Sequence, residues 1–137
     1  MQGDRERREK EARDRLKQDP TNLELAERYW NAMGPVCGGA VFDAYRDVAV
    51  ASSAGAAAFA RAYRELNLIS GEPPRKVCFD EPLIQALKTN RPKLTGEDRA
   101  NVEWVLQMIG IIPHERPIYA HIWLRALLRM ARVRWTR

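Results

Sequence analysis

Two histidines, two cysteines, a few serines and scattered carboxylates are the side chains through which this chain of 137 residues could do chemistry. His114 and His121 stand seven apart across Pro117, with Glu103 and Glu115 as the nearby acids. A zinc-hydrolase helix needs two His at i,i+4 with a Glu between them, because only that spacing turns both imidazoles towards one ion. The spacing here fits surface or capping histidines, and no metal is expected. Gly34-Pro-Val-Cys-Gly-Gly39 has the glycines of a phosphate loop but lacks the Gly-Lys-Ser/Thr that meets phosphate and magnesium, and it follows a helix rather than a strand. Ser52 and Ser53 lie outside any Gly-x-Ser-x-Gly elbow, and neither Cys37 nor Cys78 has a neighbour pattern that marks a nucleophile. Asp43 and Asp47 are paired at i,i+4, yet Arg46 lies beside them, as on a solvated helix face. The chain is therefore expected not to be an enzyme and to hold no cofactor.

The strongest pattern is one of charge. Lys and Arg number 23 against 18 Asp and Glu. From Arg116 to the end there are six Arg and no carboxylate, so this segment alone carries +6 and the other 115 residues sum to −1. From Ile118, the residues Ile118, Ile122, Ala126 and Met130 recur at i,i+4, while Arg125, Arg129 and Arg132 run along another face. Tyr119, Trp123 and Trp135 share the segment. Such a helix suits a protein interface, where Arg and Trp are enriched among the residues that dominate binding. It also suits nucleic acid, through phosphate neutralisation, or a membrane surface, with Trp at the headgroups. The expected partner-binding residues are Tyr119, Trp123, Arg125, Arg129, Arg132 and Trp135. A larger protein complex is the expected partner, with nucleic acid as the alternative.

The elements that must position these residues read as helices. Asp4 to Lys17 alternates in sign with only Ala12 and Leu16 apolar, which gives a helical but solvated arm over residues 1–20. Thr21-Asn-Leu-Glu24 fits a capping box, and Ala26, Tyr29, Trp30 and Met33 follow at helical spacing until Gly34-Pro35. After a loop at 34–39, Val41 to Leu68 is Ala-dense and free of proline, giving one long helix or two joined near Ser52-Ser53-Ala54-Gly55. Ala51, Gly55 and Phe59 fall on one face, where small residues admit a neighbouring backbone. Prolines at 73 and 74 make residues 71–79 a linker. Asp80-Glu-Pro82 opens a helix carrying Leu83, Ile84 and Leu87, and Thr95-Gly-Glu-Asp98 opens another with a stripe of Val102, Val105, Leu106 and Ile109 before Gly110. No stretch alternates with period two for long enough to make a strand. The expected fold is all-α: a single irregular domain of five to six helices over residues 21–137, preceded by the charged arm.

Apolar residues make up 45% of the chain, enough for a core. Two thiols separated by 41 residues make neither a disulfide framework nor a zinc ribbon, and a reduced compartment is the simpler reading. The acidic and basic start has no apolar h-region and resembles neither a secretory signal nor an ordinary transit peptide, which leaves import without cleavage open. The charge-free, Ala-rich stretch Val48 to Ala60 has 13 residues against the roughly 20 that a spanning helix needs, so no transmembrane segment is expected.

Tyr29-Trp30-Asn31-Ala32, Leu66-Asn67-Leu68, Asp80-Glu81 leading to Ala86-Leu87, Pro92 and Asp98-Arg99 form an ordered series of short features. That series is similar to the small matrix-side subunit 7 of the mitochondrial cytochrome bc1 complex, the ubiquinone-binding protein family. Tyr29-Trp30-Asn31-Ala32 resembles that family's N-terminal aromatic helix, and Leu66-Asn67-Leu68 resembles its Leu-Gly-Leu turn. Asp80-Glu81 leading to Ala86-Leu87 resembles its acidic start of a helix, and Pro92, Asp98-Arg99, a proline turn and a charged last helix follow in the same order. The resemblance implies a non-catalytic helical subunit of the respiratory chain, peripheral on the matrix side of the mitochondrial inner membrane. Its partners there would be the other respiratory-chain subunits, and no cofactor residues would carry over. The alternative is a cytoplasmic, nucleic-acid-binding helical regulatory protein that uses the Arg-rich C-terminal helix.

Overall fold

The Ala-dense centre of the chain folds as two helices that meet at one residue. In the computed structural model, which describes residues 2–34, 38–70 and 78–113, the backbone is helical almost throughout and no described residue is in a strand. The helices are α1 (Gln2–Gln18), α2 (Leu23–Met33), α3 (Gly38–Ala51), α4 (Ser53–Ser70), α5 (Glu81–Asn90) and α6 (Gly96–Met108), with a 3-10 turn at Arg91–Lys93 between the last two. The all-α expectation holds. The final Arg helix expected from Ile118, the linker residues 71–77 and the loop residues 35–37 lie outside the described residues.

Ser52 separates α3 from α4. Its backbone N–H still donates to Val48 O at 3.2 Å, closing α3, while its Oγ accepts the Gly55 N–H at 3.0 Å and caps α4. A Cβ at Gly55 would lie 1.8 Å from Val48 O, so only glycine permits the two backbones to come this close. Beside the corner Gly55 meets Val48, and further along Phe42 meets Phe59 and Tyr63, so the pair runs antiparallel. Of the residues expected to share the small-residue face, Gly55 and Phe59 are buried but Ala51 is exposed. The break at Ser52 puts Ala51 on the preceding helix and ends the i,i+4 relation.

Around this hairpin the remaining helices close the core. Phe59, Leu83, Leu87, Leu106, Val41, Val48, Val102 and Val105 are its largest fully buried side chains. Phe79, just before α5, has its ring centroid 5.1 Å from Phe42, 5.9 Å from Phe59 and 5.3 Å from Tyr63, edge to face in each case. Such pairs add to what burial alone contributes. Asp80 then caps α5 by accepting the Leu83 N–H at 3.2 Å, and its other oxygen accepts from Arg46 Nε at 3.0 Å, tying the start of α5 to α3. At the far end Asn90 donates to Ala86 O and accepts from Ser53 Oγ, tying the end of α5 to the start of α4.

The structure differs from the sequence reading at several boundaries. Asn22, not Thr21, is the cap of α2, its Oδ1 accepting the Leu25 N–H at 3.2 Å. Thr95 does precede α6 but makes no side-chain cap bond. The helix α3 starts at Gly38, inside the expected loop. Leu66-Asn67-Leu68 lies within α4 and forms no turn.

The arm also differs. It is helical, but it packs along α2 rather than standing in solvent: Leu16 is 7% exposed, Ala12 lies against the core, and Arg5 Nη2 donates to Met33 O at 2.8 Å. With Arg5 at the end of α2 and Arg13 beside Tyr29, the two helices run antiparallel. Two apolar residues four apart, joined by a cation on the carbonyl end of α2, suffice to seat the arm.

Candidate interaction surfaces

None of the six expected partner-binding residues, Tyr119, Trp123, Arg125, Arg129, Arg132 and Trp135, falls within the described residues, and neither do His114, His121 and Cys37. The other residues singled out by type take structural places. Ser52 caps α4 and Ser53 bonds Asn90. Asp47 pairs with Arg46 at 2.8 Å, while Asp43 faces Arg13 and Lys17 of the arm across an open groove. Glu103 lies between Arg99 and Arg91, at 2.9 and 3.2 Å. The Arg99 hydrogen bond, then that of Arg91, hold its carboxyl below the usual range. Cys78 is an exposed thiol beside Phe79. Among the described residues no three His, Cys, Asp or Glu side chains gather as a metal cluster, and no helix is long and apolar enough to cross a membrane.

Two features of the described body do face outward with chemical character. One is the rim of the aromatic cluster. Trp104 is half-buried beside Tyr63, and Arg64 stacks over its ring at 5.8 Å while donating to Asn101 Oδ1 at 3.0 Å. Arg64 is thereby committed within the chain. The other is a groove of about 350 Å³ crossing α2, α3 and α4.

The groove exists because α4 presents alanines, Ala58 and Ala62, opposite the bulky Trp30 of α2. Its aromatic wall is Trp30 with Tyr45, ring centroids 5.8 Å apart and tilted by 52°. Glu27 lines it from α2, and Arg61 and Glu65 line it from α4. Burial pushes the Tyr45 hydroxyl up to about 12; the charges of Glu27 and Glu65 add to the rise and that of Arg61 opposes it. Tyr45 therefore remains a neutral phenol across the physiological range. Neither Glu27 nor Glu65 forms an ion pair with a cation of the described residues.

The helical spacing puts Trp30 in a core stripe and gives no sign of Glu27, Tyr45, Arg61 and Glu65. Their shared place depends on how three helices pack, and no local spacing signals it. In comparisons with known proteins the chain matches no family model, no curated protein and no solved structure.

Proposed function

We propose that the chain is a non-catalytic structural or assembly subunit of a larger complex, which it joins through its C-terminal segment. The observation that carries this reading is the uneven charge of the sequence: +6 over residues 116–137 with no carboxylate, against −1 over the rest, with Tyr119, Trp123 and Trp135 interleaved among Arg125, Arg129 and Arg132. Arg pairs bidentately with carboxylates and stacks on aromatic rings, and Trp fills pockets, so the two together suit a protein surface. The helical body supports the reading as a base for that segment, because its described buried side-chain N and O atoms all have hydrogen-bond partners.

In its narrowest form the proposal places the chain on the matrix side of a cytochrome bc1-like complex, peripheral to the inner membrane and against other respiratory-chain subunits. That form rests on the resemblance in Tyr29-Trp30-Asn31-Ala32, Asp80-Glu81, Pro92 and Asp98-Arg99, because Leu66-Asn67-Leu68 is helical where the family has a turn.

The test is purification of the tagged full chain from its native extract, beside a variant with Arg125→Gln, Arg129→Gln and Arg132→Gln. The wild-type chain is expected to elute in an assembly that survives nuclease, and the triple variant to lose at least about tenfold in recovered partner. A wild-type chain that elutes alone overturns the reading. An assembly lost to nuclease, with affinity falling steeply on a log–log salt plot, replaces it with nucleic-acid binding.

A further inference from the structure

We propose that the groove between α2, α3 and α4 is a receptor for a cationic side chain, a guanidinium or ammonium group presented by an extended segment of a partner protein. This does not rest on the role of the C-terminal segment, since every residue that argues for it lies in the described body.

Three independent features converge there. The first is shape: Ala58 and Ala62, one turn apart on α4, leave a depression of about 350 Å³ facing Trp30, wide enough for one long side chain and its stem. The second is an aromatic wall, the tilted pair of Trp30 and Tyr45. Trp is the ring that attracts a cation most strongly, and Trp30 is only partly buried, so its surface remains within reach of a ligand. The third is a pair of carboxylates from different helices, Glu27 and Glu65, which both act on the Tyr45 hydroxyl and have no cationic partner in the described body. They differ in this from acids that sit against a cation, such as Asp80 with Arg46, Glu103 with Arg91 and Arg99, and Glu24 with Arg28. Two unmatched acids flanking an aromatic wall are the arrangement that a cation completes, through charge-assisted hydrogen bonds below and ring contact beside.

Arg61 is the internal competitor. It lies one turn before Glu65 and lines the same groove without closing on either acid. An incoming cation must displace its field, so the site as built is set for moderate affinity, and removing Arg61 should strengthen it. The whole chain carries +5, which repels basic peptides in general. Capture of one therefore requires a local site of the opposite sign.

The experiment is a fluorescence-polarisation titration of the full-length protein with a labelled ten-residue Ala/Gly peptide bearing one central Arg, beside the same peptide with citrulline, a neutral isostere. The Arg peptide is expected to bind at least about tenfold more tightly than the citrulline peptide. The double variant Glu27→Gln/Glu65→Gln should lose about tenfold, and Arg61→Gln should gain about threefold, with circular dichroism unchanged in both. Because these residues are exposed or partly so, neither variant threatens the core. Equal binding of the two peptides, or no loss in the Glu variant, overturns the proposal. So does weaker binding of the Arg peptide by Arg61→Gln, which would mean that Arg61 helps to hold the peptide instead of competing with it.

Discussion

At Gly55 the missing side chain decides the geometry. A methyl group there would meet backbone, Val48 O at 1.8 Å and Val48 C at 2.4 Å, and backbone cannot swing aside as a side chain can. Gly55→Ala is expected to cost about 3 kcal/mol or more, since overpacking of this kind must open the corner between α3 and α4; urea denaturation would show it as a fall in midpoint. Asp80 acts by its charge and its position together. The Arg46 hydrogen bond, with the Leu83 N–H in support, holds its carboxyl below the ordinary range. A carboxyl lowered in the folded state contributes stability above about pH 4, where the unfolded chain is also ionised, and loses it as pH falls through the lowered folded value. Asp80→Asn keeps a competent cap but gives up the charge, so wild type should be the more stable at pH 7, with the gap closing below pH 4. The carboxylate is half-exposed, and the gap at neutral pH should stay within about 1 kcal/mol. Thermal melts of the two proteins from pH 7 to pH 2 would measure it.

Among the elements, α1 is held most lightly. Leu16 and Ala12 are its apolar contacts with the core, and Arg5 on the Met33 carbonyl and Arg13 on Tyr29 supply the rest. Leu16→Ala should cost about 2 kcal/mol and release the helix before the rest unfolds. Faster trypsin cleavage within residues 5–17, at a melting temperature that changes little, is the expected sign. Salt should act in the same direction, because it screens the contacts of Arg5 and Arg13 while leaving the hairpin of α3 and α4 intact. The hairpin is the opposite case. Phe59 is fully buried among Phe42, Tyr63 and Phe79, and Phe59→Ala should cost about 3–5 kcal/mol and broaden the near-UV circular dichroism of the cluster.

Over the whole molecule, the sequence by itself determined the helical class and most of the punctuation. Period and caps are local: Gly34 with φ 70° ends α2, Asp80 begins α5, and Val102, Val105 and Leu106 lie on one buried stripe, as their spacing requires. The division of charge between body and C-terminal segment is likewise a property of composition, and it carries the proposed role without reference to any fold. Tertiary structure decided the rest. Whether α3 and α4 were one helix or two depended on Gly55 finding Val48 across the corner. Whether the arm was solvated depended on Leu16 reaching α2, which two apolar residues in seventeen did not announce. The groove of Glu27, Trp30, Tyr45, Arg61 and Glu65 draws on three helices, and local periodicity fixes which face each helix buries but not which exposed residues of different helices come to lie side by side.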